Sequence, residues 1–111
     1  MAETDLASKS CVPCSGGTPR MRGQAVRSFS EQIPKWQVVD EHHLERVFFF
    51  ADFKGALGFT NAVGDLAERE GHHPDIRLSW GKVVVTLFTH KIDGLSESDF
   101  VLAAKIDRLG S

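Results

Sequence analysis

Three of the five histidines and a carboxylate lie in one stretch of this chain, EREGHHPDIRLSWGKVVVTLFTH, from Glu68 to His90. These are the residue types of an acid/base site. Imidazole, with an ordinary pKa of about 6.5, both gives and takes a proton near neutrality, and a positioned group of this kind contributes roughly 10²–10⁴-fold to a rate. Local geometry restricts how the three can meet. Pro74 pushes His73 out of the helical region, so His72 and His73 should stand where a helix gives way to an extended run. Neighbouring side chains in an extended chain point to opposite faces, so the two histidines should not share a role.

His90 closes the run Lys82 to Thr89, in which Val84, Thr86, Phe88 and His90 alternate with Val83, Val85, Leu87 and Thr89. Both sets are largely apolar. The run therefore predicts a strand sandwiched between layers, with His90 emerging at the rim of the sheet where a pocket can form.

Other chemistry fits less well. Zinc would need ligands that converge, whereas adjacent strand histidines diverge, and neither H-x-H nor H-E-x-x-H occurs. Cys11-x-x-Cys14 lacks a second cysteine pair and sits in a stretch poor in apolar residues, which predicts a reduced, unstructured pair. His42 and His43 fall in a polar turn and read as solvated. Trp36 reads equally as a core residue or a pocket aromatic.

The elements that must hold the site follow from periodicity. Residues 1–22, with Cys11, Pro13, Gly16, Gly17 and Pro19, predict an irregular leader, and residues 23–111 a single domain. Gly23 to Gln32 predicts a short helix with Val26 and Phe29 inward, closed by Pro34. Lys35 to Val39 and Leu44 to Phe50 predict a hairpin. Asp52 is a natural N-cap for a helix through Glu70 with Phe53, Ala56, Leu57, Thr60, Val63, Leu66 and Ala67 at helical spacing, and Gly71 a natural C′ residue. Gly55, Gly58 and Gly64 within it predict close approach to the sheet or to another helix. Ile76 to Trp80 and Lys82 to His90 predict a second hairpin. Ser96 and Asp99 then make a capping-box start, with Leu95 and Phe100 as its staple, for a helix ending at Leu109. The order α-β-β-α-β-β-α predicts the α+β class, a four-stranded antiparallel sheet with helices packed on one face.

Composition bounds the function. With 41% hydrophobic and 25% charged residues over 111 positions, the make-up is that of a globular domain. A net charge of −2 without a basic cluster argues against nucleic-acid binding. No apolar run approaches the roughly 18 residues a membrane span requires. The acidic start MAETDLASKS lacks the apolar region of a secretory signal, so the expected address is the cytoplasm. The apolar strand and the Val47 to Phe50 cluster predict that a subunit interface covers part of the surface.

The string GHHPDIRLSWGKVVVTLFTHKIDGLSESDF, preceded by Glu68 and by VFFFADFKGALGFTNAV, resembles the pterin-4a-carbinolamine dehydratases, a family that includes the dimerisation cofactor of a homeodomain transcription factor. The resemblance covers about Ile33 to Leu109, and the leader CVPCSGGTPRM is similar to that of bacterial and plant-type members. It implies an enzyme that removes water from 4a-hydroxytetrahydropterin to give quinonoid dihydropterin, recycling tetrahydrobiopterin without a metal or organic cofactor. By the same resemblance, His72 and His90 are the proton-transfer residues, with acid and base unassigned, and Glu68 orients or charges a histidine. His73, Trp36, Pro74 and Thr89 are placed at the substrate. A homodimer or a homotetramer is implied. A different kind of function is implied as well, that of a binding module whose helical surface stabilises a partner's dimer.

Overall fold

The computed structural model describes Leu6 and residues 19–109. The Cys11 and Cys14 expectation lies outside the described residues. Within them run helix α1 (Gln24–Ser30), strands β1 (Gln37–Val39) and β2 (His43–Phe49), helix α2 (Phe53–Glu70), strands β3 (Asp75–Ser79) and β4 (Lys82–Leu87), and helix α3 (Glu97–Leu109). The predicted order holds.

Local chemistry fixes the ends of the long helix. The Asp52 side chain accepts from the Gly55 N–H at 2.8 Å, filling one of the orphan donors of the first turn of α2. Gly71 ends the helix at φ 68°, a left-handed conformation that costs an L side chain roughly 1–2 kcal/mol and glycine nothing. The inward stripe of α2 is Ala56, Phe59, Val63, Leu66 and Ala67. Phe53 and Leu57, which share the helical spacing of the apolar positions, are exposed. The expected close approach of the helix glycines to the sheet or another helix is not found: a Cβ at Gly55 would meet Asp52 Oδ1 at 3.3 Å and the Phe50 side chain at 3.6 Å, both in the segment leading into the helix, and at Gly58 and Gly64 it would meet nothing within 4 Å.

The four strands form one antiparallel sheet in the order β1-β2-β4-β3. Leu44 pairs with Leu87, Arg46 with Val85 and Phe48 with Val83, so the second hairpin returns its last strand to the centre of the sheet beside β2. Val83, Val85 and Leu87 are fully buried with Leu44. On the other side Val47 pairs with Val84 and Phe49 with Lys82, and Val47 and Phe49 are exposed. The prediction that β4 is sandwiched between two layers is thereby corrected. Helices of the described residues cover one face only, and Val84 owes its burial to neighbours on an otherwise open face.

The core lies between that covered face and α2 and α3. Ile33, Leu95, Phe100, Leu102 and Ile106 are fully buried there, as is Leu6. Each such side chain contributes on the order of 1.5–3 kcal/mol of transfer free energy, which offsets the conformational entropy of the chain. Trp36 joins this core: it is 5% exposed, meets Phe48 edge-on at 6.3 Å, and donates its indole N–H to Asp107 Oδ1 at 2.7 Å.

Candidate active site

His72 and His73 leave the C-terminus of α2, and the chain from Phe88 to Lys91 leaves β4; the two segments meet beside each other at one end of the sheet. Between them is a cleft of about 280 Å³ lined by Gly71, His72, His73, Phe88, Thr89, His90 and Lys91. All three histidines singled out by the sequence therefore face one space. The chain reaches His90 differently from the prediction. Strand β4 stops at Leu87, and His90–Ile92 forms a 3₁₀ turn, closed by a bridge in which the Thr89 N–H donates to the Gly94 carbonyl at 2.8 Å. His90 thus stands on a tight turn beyond the sheet rather than at the end of a strand.

Each histidine has a different support. His72 Nε2 lies 2.6 Å from Asp99 Oδ1, and the His72 side chain is 15% exposed while that of Asp99 is wholly buried. The other carboxylate oxygen of Asp99 accepts from the Thr89 hydroxyl and from the Ser96 N–H, both at 2.9 Å. The Ser96 hydroxyl lies 2.7 Å from that of Thr89 and completes the network. With the carboxylate as acceptor, His72 carries its proton on Nε2 and leaves the Nδ1 lone pair unprotonated in the neutral ring. His73 Nε2 lies 2.6 Å from Glu68 Oε2, but this pair is 59% and 78% exposed. His90 is held by ring contact: Phe88 lies 4.2 Å away at 30° between planes. Its ring nitrogens have no hydrogen bond among the described residues.

The adjacent histidines thus have separate carboxylate partners, Asp99 for His72 and Glu68 for His73. The histidine that Glu68 contacts is His73. Thr89 lines the cleft and is tied into the Asp99 network. Pro74 follows His73 but is not among the lining residues, and Trp36 lies in the core with Asp107.

Asp99 was legible only as a capping residue. Its bond from the Ser96 N–H is the capping-box bond the sequence predicts. That local explanation is complete in itself and hides the second use of the same carboxylate, because the two residues it joins, His72 and Thr89, arrive from other elements. Phe88 was read as part of a strand face. His42 and His43 were read as solvated, yet both are half-buried, with ring centroids 4.7 and 6.5 Å from Phe88. No group of three or more potential metal ligands converges among the described residues.

The fold and this cleft define a small α+β domain with one imidazole locked to a buried carboxylate and another presented on a turn. Comparison with known proteins gives the family. Residues 19–109 match the Pterin 4 alpha carbinolamine dehydratase family, and the chain belongs to it. A Rubrobacter xylanophilus protein named as a candidate pterin-4-alpha-carbinolamine dehydratase is 58% identical, over 96% of this chain and 99% of its own length. One from Alkaliphilus metalliredigens, named likewise, is 59% identical over 94% and 95%. The crystal structure of a transcriptional coactivator/pterin dehydratase from Brucella melitensis is 31% identical, with TM-score 0.78, over 83% of this chain and 99% of that one. A pterin dehydratase-like protein described as a RuBisCO assembly factor in the alpha-carboxysome is 26% identical, with TM-score 0.57, over 68% and 87%.

Proposed function

We propose that the protein is a 4a-hydroxytetrahydrobiopterin dehydratase, a hydro-lyase that eliminates water from 4a-hydroxytetrahydropterin. The observation that carries this reading is the convergence of His72, His73 and His90 on one cleft, with only His72 tied to a buried carboxylate. In the elimination the C4a–O bond breaks, its electron pair leaves with the hydroxyl, and a proton delivered to that oxygen completes the water. A proton leaves the ring nitrogen, and its bonding pair forms the new C=N of the quinonoid dihydropterin. The reaction is redox-neutral, so two positioned proton carriers meet its demand.

His72 and His90 are assigned to these transfers. Asp99 fixes the tautomer of His72, so its open nitrogen is always the same one. His90, with both ring nitrogens unbound by described residues, can approach the substrate from the opposite wall. His73, steadied by Glu68, and Thr89 hold the pterin. The enzyme is expected in the cytoplasm as a homodimer or homotetramer.

The test is stopped-flow ultraviolet decay of enzymatically generated 4a-hydroxytetrahydropterin with and without the protein. Acceleration supports the assignment, and none from well-folded protein sinks it. A second reading, a module that stabilises a partner's dimer, is favoured by the open side of α2, where Leu57 is exposed and Gly58 faces free space. It is supported too by the double description, coactivator and dehydratase, of the Brucella melitensis protein. Partner capture that survives substitution of the cleft histidines would favour that module.

A further inference from the structure

The loop that carries His90 is held from outside the cleft by the turn between β1 and β2. His42 Nε2 lies 2.8 Å from Asp93 Oδ1, and Asp93 closes the same 3₁₀ turn that begins at His90, its N–H donating to the His90 carbonyl at 3.2 Å. The His42 ring also meets Phe88 at 4.7 Å, and Phe88 in turn meets His90 at 4.2 Å. His42 therefore touches both the ring that supports His90 and the residue that ends its turn.

Backbone strain gathers at this contact. The non-glycine residues with positive φ among the described residues are Asp40 at 54°, Glu41 at 53° and Asp93 at 50°. All lie in the two loops that His42 and Asp93 join. Asp40 and Glu41 are the central residues of a tight turn closed by the His42 N–H on the Val39 carbonyl at 2.8 Å, a place where glycine or asparagine is usual. Left-handed backbone at such residues persists only where surrounding contacts hold it, and it clusters at functional sites.

The second nitrogen of His42 is committed as well. His42 Nδ1 lies 3.0 Å from His43 Nδ1, so one of the two must donate and the other accept. A consistent arrangement has His43 donating to His42 and His42 Nε2 donating to Asp93, a directed chain that ends on the His90 loop. The far side of the loop is fixed independently, by the Met21 N–H on the Leu95 carbonyl at 2.8 Å and by the Arg20 side chain over Gly94.

We infer that His42 is a positioning residue for His90: through Asp93 and Phe88 it clamps the 88–94 loop in the arrangement that presents the His90 ring to the cleft. The inference rests on the dehydratase reading for its kinetic consequence, while the contact itself can be read without activity. Displacement of a reacting group by about 1 Å costs on the order of 10²-fold in rate, so release of this clamp is expected to act on kcat.

The experiment compares wild type with His42→Ala, His42→Gln and Asp93→Gly, which removes the acceptor at a φ of 50° that glycine adopts freely, by stopped-flow turnover and by the carbon-detected ring resonance of His90, which senses the ring current of Phe88. The expected result is a fall in kcat of roughly 10- to 100-fold for His42→Ala with KM little changed, together with a displaced His90 resonance. Asp93→Gly should change both readouts in the same direction. His42→Gln, whose amide nitrogen reaches the position of Nε2 and can still donate to Asp93, should recover part of the loss. A lowered melting temperature with kcat per folded enzyme and the His90 resonance both at wild-type values overturns the inference, as does lost turnover with an unmoved His90 resonance. Should His42→Ala fail to fold, Asp93→Gly carries the same two readouts. An inactive but folded wild type would sink the dehydratase reading, and an unmoved His90 resonance in Asp93→Gly would sink the positioning role separately.

Discussion

Replacing Asp99 by asparagine keeps the shape of the side chain and changes one thing, the chemistry of its oxygens. In the native protein this fully buried carboxylate receives His72 Nε2 at 2.6 Å, the Thr89 hydroxyl at 2.9 Å and the Ser96 N–H at 2.9 Å. Two of those donors share one oxygen, so the amide of Asp99→Asn keeps its carbonyl there and turns its NH₂ toward His72. Two donors then face each other unless the imidazole moves its proton to Nδ1. Bonds to a charged acceptor contribute about 1.5–3 kcal/mol and neutral ones about 0.5–1.5, so the change removes about 1 kcal/mol at each of the three bonds, or about 3 kcal/mol in all. For a domain of this size 1 kcal/mol moves Tm by about 4–8 °C, which predicts a fall of about 12–24 °C by circular dichroism melting. In the stopped-flow assay below the melting range, the inverted tautomer of His72 should cost about 100-fold or more in kcat. Glu68→Gln serves as the contrast. Its pair with His73 is 59% and 78% exposed, so its stability cost should stay below about 1 kcal/mol. Asp99→Asn with wild-type kcat and a Tm within about 4 °C of wild type would refute the argument that Asp99 sets His72.

His72→Ala and His90→Ala should each lower kcat by about 10²-fold or more while far-ultraviolet circular dichroism stays native. Gly71→Ala should lose about 1–2 kcal/mol in a denaturant melt through backbone strain alone, since φ is 68° and nothing lies within 4 Å of the added Cβ. Asp93 has its carboxyl held below the ordinary 3.8, first by the hydrogen bond from His42 and then by the charge of that ring, against an opposing effect of burial, with Arg20 and His90 adding less. Its folded pKa is depressed, so the contribution of the His42 pair is present above the ordinary carboxylate range and is lost as pH falls through the folded value. The carboxyl carbon of Asp93 should accordingly titrate by NMR with a midpoint below 3.8, and that midpoint should return toward 3.8 in His42→Ala.

Much of this protein is written in local chemistry. The cap at Asp52, the left-handed stop at Gly71 and the start of α3 at Ser96 depend on residues a few positions apart, and each stands where the sequence places it. His72 and His73, expected on opposite faces, both line the cleft and differ in their carboxylate partners instead. Tertiary structure decided what those signals could not carry. The return of β4 to lie beside β2 set Leu44 against Leu87 and left one sheet face open, so a strand apolar on both sides is covered by helices on only one. Asp99 became the partner of His72 across 27 positions of sequence, and His42 the partner of Asp93 across 51, distances over which no periodicity or spacing reports a contact. The sequence by itself determined which residues can carry protons, the order and type of the elements, and the ends of α2, since those depend on side-chain type and on the next few bonds. Which carboxylate meets which histidine depends on how separate elements pack, and that the fold alone decides.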